Sequence, residues 1–262
     1  MSDKVAATIK EKSAESLRDI ALGLVRRFLP PLFPPAKYRD RPLATWPPII
    51  GLVHDIKLPR RTRSQGPTGA SNINILLAMI DRTLPLPGDL AECGVFRGAS
   101  LVPMAIHLRQ AASTKQLFGF DSFAGFDNSI LLDISMGGPP EANKRIGAFA
   151  ETSPTLVFDK LRRFRIENVT LIPGYFRDSL PQCADHKFSF VHLDIGIYDA
   201  YKECLEFFYP RLSPQGIILL NDYDKPRWPG CTKAVDEFLT GKPEKLQCIE
   251  IGHHQKFYIC KT

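Results

Sequence analysis

From residue 71 onwards, short apolar runs alternate with segments whose apolar residues recur at helical spacing. Apolar runs bounded by turn residues are typical of buried strands, and a spacing of three to four is typical of helices. Strands are predicted over residues 88–95, 116–122, 169–176, 188–196 and 216–224, with a closing hairpin over 246–252 and 256–261. Helices are predicted over residues 72–84, 99–111, 155–165, 201–212 and 231–241. This alternation predicts an α/β fold with a mostly parallel sheet covered on both faces.

The N-terminal part of the chain has a different pattern. Residues 5–29 carry apolar side chains at helical spacing with Lys and Arg between them, which predicts a basic amphipathic helix. A proline-rich run over residues 29–48 then ends any helix, because proline lacks the amide donor and restricts the residue before it. We therefore predict an arm or lid over residues 1–69 and one folded domain over residues 70–262.

Composition and charge narrow the class of protein. Of the 262 residues, 44% are hydrophobic and 24% charged, which excludes a disordered or fibrous chain. No run approaches the roughly 20 apolar residues that span a bilayer. The first residues lack the apolar core of a signal peptide, so a cytoplasmic location is predicted.

The positive charge is concentrated in the arm. Residues 1–69 contain 13 Lys and Arg against 6 Asp and Glu, whereas the rest of the chain contains 21 against 22. A near-neutral body argues against nucleic acid as the main partner. The basic arm is either a solvated surface or a weak contact to an anionic membrane. An amphipathic arm also favours contact with a second subunit, so a homodimer is predicted.

Glycines and acidic residues follow the first two predicted strands. Glu92, Gly94 and Gly98 form an ExGxxxG pattern, in which glycine lets the backbone approach a ligand and the following helix offers amide donors. Because Glu92 replaces the first glycine of the GxGxxG fingerprint, a nicotinamide dehydrogenase is disfavoured and a cationic ligand group is favoured. Asp121 ends the second strand, where an acid either holds a ribose or caps the next element.

Oxygen donors lie at the ends of the fourth and fifth predicted strands. Asp194, preceded by His192, is at the end of the fourth strand, and Asn221 and Asp222 are at the end of the fifth. Three such donors at neighbouring strand ends suit Mg²⁺, which takes a few protein oxygens and keeps positions open for substrate. A metal there lowers the pKa of a substrate hydroxyl. The alternative is that the two acids are helix caps or hydrogen-bond acceptors.

These residues lie in blocks that resemble a known family. The blocks GDLAECGVFRGAS, FGFDSFAGFD, VHLDIGIYDAYKECLEFFYPRLSPQGIILLNDY and PGCTKAVDEF, within residues 70–260, resemble the macrocin O-methyltransferase family. The resemblance implies a class I methyltransferase fold, Rossmann-like and doubly wound, whose seven-stranded sheet has its last strand antiparallel. It further implies S-adenosylmethionine and Mg²⁺ as cofactors and a small-molecule acceptor with a sugar or polyol hydroxyl.

The resemblance also implies a role for each matching position. The methionine end of the cofactor is assigned to Glu92, Gly94 and Gly98. The ribose is assigned to Asp121 and Ser122, and the adenine to Gly174, Tyr175 and Asp178. The metal is assigned to Asp194, Asn221 and Asp222.

The chain departs from the family pattern at two of these blocks. Gly196 stands where the family has an acid that is its proposed general base, and Asn221 stands where it has a first acid. Asparagine is still an oxygen ligand for Mg²⁺, whereas a missing base removes a group that typically contributes about 10²–10⁴-fold. The residues considered in its place are His192, Asp199 and the pair His253–His254.

Three functions remain open on this evidence. The first is a Mg²⁺-assisted O-methyltransferase acting on a sugar or another polyol-bearing natural product. The second is a catechol-type O-methyltransferase, which has the same fold and a similar metal set. The third is a cofactor-binding protein that has lost catalysis, which Gly196 and the basic arm would explain. The acceptor is expected to contact residues 127–153, an insertion that is predicted to be irregular, and the arm.

Overall fold

The computed structural model describes residues 35–59, 72–138, 141–251 and 254–262. The strands are β1 (Asp89–Cys93), β2 (Leu117–Asp121), β3 (Val169–Pro173), β4 (Phe188–Leu193), β5 (Leu212–Leu220), β6 (Gln247–Ile251) and β7 (His254–Cys260). The α-helices are α1 (Pro48–His54), α2 (Asn72–Thr83), α3 (Leu101–Gln110), α4 (Ile130–Ser135), α5 (Pro154–Arg163), α6 (Phe176–Ser179), α7 (Tyr198–Arg211) and α8 (Pro229–Leu239). Short 3-10 helices lie at Pro35–Tyr38, Leu43–Thr45, Glu141–Asn143 and Leu180–Cys183.

The strands form one seven-stranded sheet in the order β3-β2-β1-β4-β5-β7-β6. Neighbouring strands from β3 to β5 are parallel, and β7 runs antiparallel to both β5 and β6. The predicted mostly parallel sheet and the closing hairpin are therefore confirmed. Because β1 to β5 are parallel, their carboxyl ends meet at one edge of the sheet, which is where open α/β sheets bind ligands.

The two faces of the sheet bury two separate hydrophobic clusters. Alternate strand residues point to opposite faces, so Leu90 belongs to one cluster and Ala91 to the other. Helices α2, α3 and α5 cover the first face, and α7 and α8 cover the second. Burying a large apolar side chain contributes about 1.5–3 kcal/mol, which is why strands this apolar remain in a buried sheet.

Several predicted boundaries require correction, since β3 ends at Pro173 rather than at residue 176 and β4 ends at Leu193 rather than at residue 196. Strand β5 spans Leu212–Leu220 rather than residues 216–224, so Asn221 and Asp222 lie just after the strand. Residues 127–153 are not irregular throughout, because they include α4, in which Ile130 and Asp133 are fully buried. The Asp133 carboxylate accepts a hydrogen bond from the backbone N–H of Tyr198 at 3.0 Å. These tertiary contacts stabilise a helix that the local sequence does not signal.

Residues 35–59 pack against the body of the protein. Tyr38, Trp46 and Ile50 are buried in the same cluster as α3 and α5. The Trp46 ring stacks on Phe164 with centroids 5.8 Å apart, and its Nε1–H donates to the Arg41 carbonyl at 2.9 Å. In the described part of the arm, the side chains that face the body thus share its core.

Other predictions about the arm stay open. The predicted helix over residues 5–29 lies outside the described residues, and the boundary at residues 69 and 70 stays a prediction. None of the described helices is long and apolar enough to cross a membrane.

Candidate active site

A cavity of about 710 Å³ lies along the carboxyl ends of β1 to β5. Each of these strands contributes a lining residue at or just after its last position, and these residues are Gly94, Asp121, Gly174, Asp194 and Asn221. The structure therefore brings together residues from five separate strand ends, as the sequence predicted. A cavity of this size accommodates a small ligand, since ligand sites typically measure about 300–1,000 Å³.

Asp121 is held in place by two backbone amides. Its Oδ2 accepts the N–H of Phe96 at 2.7 Å, and its Oδ1 accepts the N–H of Phe123 at 2.7 Å. Burial raises the pKa of Asp121, although these hydrogen bonds oppose the shift. Because each carboxylate oxygen has a second lone pair, the residue retains acceptor capacity toward the cavity. The carboxylate thus fixes the loop after β1 and suits a diol.

Glycine is required where β1 passes β4. Gly94 has a φ of 88°, and a Cβ at this position would lie 2.0 Å from the carbonyl oxygen of Asp194. The backbone N–H of Asp194 in turn donates to the carbonyl of Cys93 at 3.0 Å. The two strand ends are therefore in direct contact, and any side chain at position 94 would separate them.

Three more predicted residues on the β2–β3 side, Ser122, Gly174 and Tyr175, also line the cavity. Gly174 donates its N–H to the carbonyl of Asp121 at 2.9 Å, which joins the two loops. Ser122 and Tyr175 line the cavity, and the guanidinium of Arg177 lies 4.8 Å from the centre of the Tyr175 ring. An aromatic ring in a cavity wall offers a flat surface to a planar ligand.

Four predicted site residues lie away from the cavity wall as the described residues form it: Glu92, Gly98, Asp178 and His192. Glu92 and His192 occupy neighbouring positions on β1 and β4, and Glu92 Oε1 lies 2.9 Å from His192 Nδ1. Glu92 Oε2 is buried without a hydrogen-bond partner among the described residues. Gly98 faces Val157, and Asp178 is exposed beside Arg177. The direct ligand contacts assigned to these four stay predictions.

The three predicted metal ligands do converge. The side-chain amide of Asn221 donates to Asp194 Oδ1 at 2.6 Å and lies 3.3 Å from Asp222 Oδ1. Asp222 is buried and its Oδ2 accepts the backbone N–H of Gly196 at 3.1 Å. We refer to Asp194, Asn221 and Asp222 as the acidic cluster.

Three lysines that the sequence analysis missed surround the acidic cluster. Lys57 Nζ lies 3.9 Å from Asp194 Oδ2, and Lys225 Nζ lies 3.4 Å from Asp222 Oδ1. Lys256, only 4% exposed, donates to the backbone carbonyl of Asn221 at 3.0 Å and to its side-chain oxygen. Lys225 lies three residues after Asp222, so sequence spacing offered a signal for it alone. The other two reach the cluster only through the tertiary fold.

The close charges shift the pKa values of the cluster in opposite directions. Burial would raise the pKa of Asp194, but the positive charges of Lys57 and other nearby groups hold it below its ordinary value. Burial and the charge of Asp194 raise the pKa of Asp222 to about 6. Burial and the neighbouring Lys225 lower the pKa of Lys256 to about 7.

This donor set does not fit Mg²⁺. The amide oxygen of Asn221 is bound by Lys256, and the amide N–H₂ is directed at the carboxylates. Magnesium requires oxygen lone pairs directed at one point, and an N–H donor there repels it. Over the described residues, no group of three or more His, Cys, Asp and Glu side chains is arranged to hold a metal ion.

An indole ring fills the position of the missing acid. Gly196 has a φ of 71°, and a Cβ there would lie 2.9 Å from two ring carbons of Trp228. Trp228 lines the cavity and packs edge-on against Phe126, with ring centroids 6.0 Å apart. Phe126 in turn contacts Phe149 at 5.3 Å. These three side chains form what we call the aromatic wall.

Carboxylates of α7 face the same cavity. Asp199, Glu203 and Glu206 line it together with Lys202, and Asp127, which also lines it, pairs with Arg177 at 2.8 Å. Of the residues considered as a replacement base, Asp199 is thus at the cavity. His192 lies in the sheet, His254 lies on β7 outside the described cavity wall, and His253 is outside the described residues.

Comparison with known proteins agrees with this geometry. Residues 66–257 match the family described as Macrocin-O-methyltransferase (TylF). The 8-demethyl-8-(2,3-dimethoxy-alpha-L-rhamnosyl)-tetracenomycin-C 4'-O-methyltransferase of Streptomyces olivaceus is 28% identical over 238 residues, which cover 86% of each chain. The mycinamicin III 3''-O-methyltransferase of Micromonospora griseorubida is 27% identical over 229 residues, which cover 80% of this chain and 87% of that one.

A solved structure has the same fold. The O-methyltransferase NovP superposes with a TM-score of 0.61 at 22% identity, covering 94% of this chain and 99% of its own. The family match covers most of the chain, and the fold and the strand-end cavity agree with it. The chain therefore belongs to the macrocin-O-methyltransferase family and is an S-adenosylmethionine-dependent O-methyltransferase.

Proposed function

We propose that this protein methylates a hydroxyl of a sugar carried by a natural-product small molecule. The observation that carries the proposal is that one cavity is lined by two kinds of residue, which we assign to two halves. Strand-end residues with a fixed acid, Asp121, form one half, and the aromatic wall with the carboxylates of α7 forms the other. The names of the two relatives, one of which includes a rhamnosyl group, support a sugar acceptor.

The strand-end half suits S-adenosylmethionine. Gly94 allows the β1 loop to approach a ligand, and Asp121 offers acceptor oxygens to the ribose hydroxyls. Ser122, Gly174 and Tyr175 complete this half on the side of β3. When bound, the cofactor supplies an activated methyl group on a positively charged sulfur.

The other half suits a sugar. The aromatic wall offers apolar ring faces that pack against the C–H face of a sugar ring, as aromatic side chains do with amphipathic partners. The carboxylates of Asp199 and Glu203 and the guanidinium of Arg227 line the same space and can hydrogen-bond sugar hydroxyls. An aromatic wall also accepts a flat phenol, so the catechol-type alternative is decided by the acceptor assay below.

The reaction requires a positioned hydroxyl that loses its proton. Asp194 lines the cavity next to Gly94, where its carboxylate can orient the acceptor hydroxyl toward the cofactor half. Asp199 is a second carboxylate at the cavity and the better-placed proton acceptor among the residues considered from the sequence. Positioning two reactants in one cavity accounts for a large part of the rate of such transfers, up to about 7–11 kcal/mol of the barrier.

A matched pair of variants tests the cofactor half. Asp121→Asn weakens binding of S-adenosylhomocysteine about 10-fold or more, since a hydrogen bond to a charged acceptor is worth about 1.5–3 kcal/mol. Asp159→Asn makes the same chemical change on the exposed surface of α5, away from the cavity, and leaves the affinity unchanged. Calorimetric titration measures both. Equal affinities in the two variants would remove Asp121 from the cofactor site.

The acceptor assay tests the other half. Transfer of a labelled methyl group is measured to rhamnosylated and unglycosylated forms of one aglycone, and to a simple catechol. The proposal expects label only on the glycosylated acceptor. Label on the catechol alone would replace the proposal with the catechol-type activity.

A further inference from the structure

The acidic cluster has the composition of a metal site but the hydrogen bonding of a salt-bridge network. Every side-chain oxygen of the cluster has a nearby donor or positive charge from the chain itself. Asn221 and Lys57 approach the two oxygens of Asp194, and the Gly196 N–H and Lys225 approach those of Asp222. A divalent cation would have to displace these groups, because it needs the same lone pairs.

The sheet fixes Lys256 at this position. On the antiparallel pair β5–β7, Leu220 is opposite Phe257, so Asn221, just after β5, and Lys256 occupy the next positions of the two segments. Lys256 contacts both oxygens of Asn221, and its stem is buried. A buried ammonium group is costly unless carboxylates or hydrogen-bond acceptors surround it. The acidic cluster supplies both kinds of group. The burial of the Lys256 ammonium and the burial of the cluster therefore explain each other.

We propose that Lys256, with Lys225 and Lys57, takes the place of a divalent cation at the acidic cluster. The protein then holds Asp194, Asn221 and Asp222 in position without Mg²⁺, and Lys256 is a positioning residue that acts through Asn221. The claim that this cluster serves methyl transfer rests on the proposed function. The claim that the cluster binds no divalent cation is independent of it.

The charges at the cluster explain why a cation is excluded. Two carboxylates face three lysines, and a divalent ion that entered would meet like charges at close range. Lys57 Nζ lies 3.9 Å from Oδ2 of Asp194, a residue that lines the cavity where an acceptor hydroxyl develops negative charge as it reacts. Fixed positive groups at such a point stabilise that charge in the way a metal does.

The experiment measures binding of Mn²⁺ alone by electron paramagnetic resonance, on the full chain saturated with S-adenosylhomocysteine. The natural protein is expected to bind no stoichiometric Mn²⁺ up to about millimolar concentration, the weak end of protein cation sites. The double variant Asn221→Asp/Lys256→Met removes the buried lysine and supplies a third carboxylate. It is expected to gain one Mn²⁺ site, with affinity at least tenfold above the natural protein, and a further Asp194→Asn change removes that site.

Lys261→Met is the matched control. Lys261 is also partly buried and donates to the carbonyls of Tyr209 and Leu212 at 2.9 Å each, so its loss imitates the general effect of removing such a lysine. It is expected to gain no Mn²⁺ site. Binding of S-adenosylhomocysteine and thermal unfolding verify that each variant is folded.

The natural protein alone decides the question if the double variant does not fold. One Mn²⁺ per chain that Asp194→Asn abolishes would overturn the proposal, as would methyl transfer that EDTA abolishes and Mg²⁺ restores. If no acceptor is methylated, the proposed function fails while the Mn²⁺ titration still tests the replacement of the metal.

Discussion

Restoring an acid at position 196 is expected to destabilise the protein. Gly196 has a φ of 71°, and a left-handed backbone costs a residue with a Cβ about 1–2 kcal/mol. The new Cβ would lie 2.9–3.0 Å from three carbons of the Trp228 ring, and overpacking of this kind costs about 1–3 kcal/mol. Gly196→Asp therefore lowers the free energy of unfolding by about 2–5 kcal/mol.

Gly241→Asp separates the two contributions. Gly241 is exposed and has a φ of 78°, but a Cβ there meets no atom within 4 Å. The control therefore contains the backbone strain and lacks the contact with an aromatic ring. Adding Trp228→Ala to Gly196→Asp removes the contact instead, so the double variant loses less stability than the two single changes together.

Urea unfolding followed by circular dichroism measures these differences. Gly196→Asp is expected to have the lower midpoint, and its melting temperature is expected to lie about 4–20 °C below that of the natural protein. Equal midpoints for Gly196→Asp and Gly241→Asp would refute the reasoning. In that case Trp228 moves aside at no cost, and position 196 remains open to an acid.

Three further predictions concern stability. Trp46→Ala lowers the free energy of unfolding by about 3–5 kcal/mol, whereas Phe158→Ala, at a side chain 45% exposed, lowers it by less than about 1 kcal/mol. Equal losses of unfolding free energy in the two variants, measured by urea unfolding, would contradict the burial of residues 35–59. Glu92→Ala costs about 1–3 kcal/mol because it leaves His192 Nδ1 buried without its hydrogen-bond partner. Urea unfolding with an unchanged midpoint would disprove this. Burial raises the pKa of Asp133 to about 6, above its ordinary 3.8, so the folded state binds the extra proton and stability falls as the pH rises from about 4 to 6. Asp133→Asn abolishes that part of the decline, which is at most about 3 kcal/mol. The prediction is refuted if the urea midpoint declines equally in both proteins across this pH range.

The strand ends could be predicted because their signals are local. A short apolar run followed by glycine or an acid marks the end of a buried strand, and parallel strands bring these ends together without further information. Gly94, Asp121 and Asp194 were found in this way, and all three line the cavity. The position of Glu92 shows the limit of the argument. It shares a strand face with Leu90 and is directed toward the helices of that face, where it meets His192.

Lys57 and Lys256 could not be predicted because their signals are not local. Lys57 follows α1 and Lys256 lies on the last strand, and nothing in their flanking residues indicates a charge partner. Their contacts depend on where the residues before α2 pack and on the register of β5 with β7. The contact of Trp228 with Gly196 is of the same kind: the sequence revealed that an acid was missing, and only the tertiary structure identified the ring in its place.

The departures from the family pattern at positions 196 and 221 are best understood together with Lys256. An acid at position 196 would add a carboxylate beside Asp222, and an acid at position 221 would add another, so both departures reduce the negative charge of one small region. Lys256 adds positive charge to the same region. If the cluster held a divalent cation, each of these three features would weaken its binding. If lysines take the place of the cation, fewer acids are needed to balance the charge, and the three features have the same physical cause.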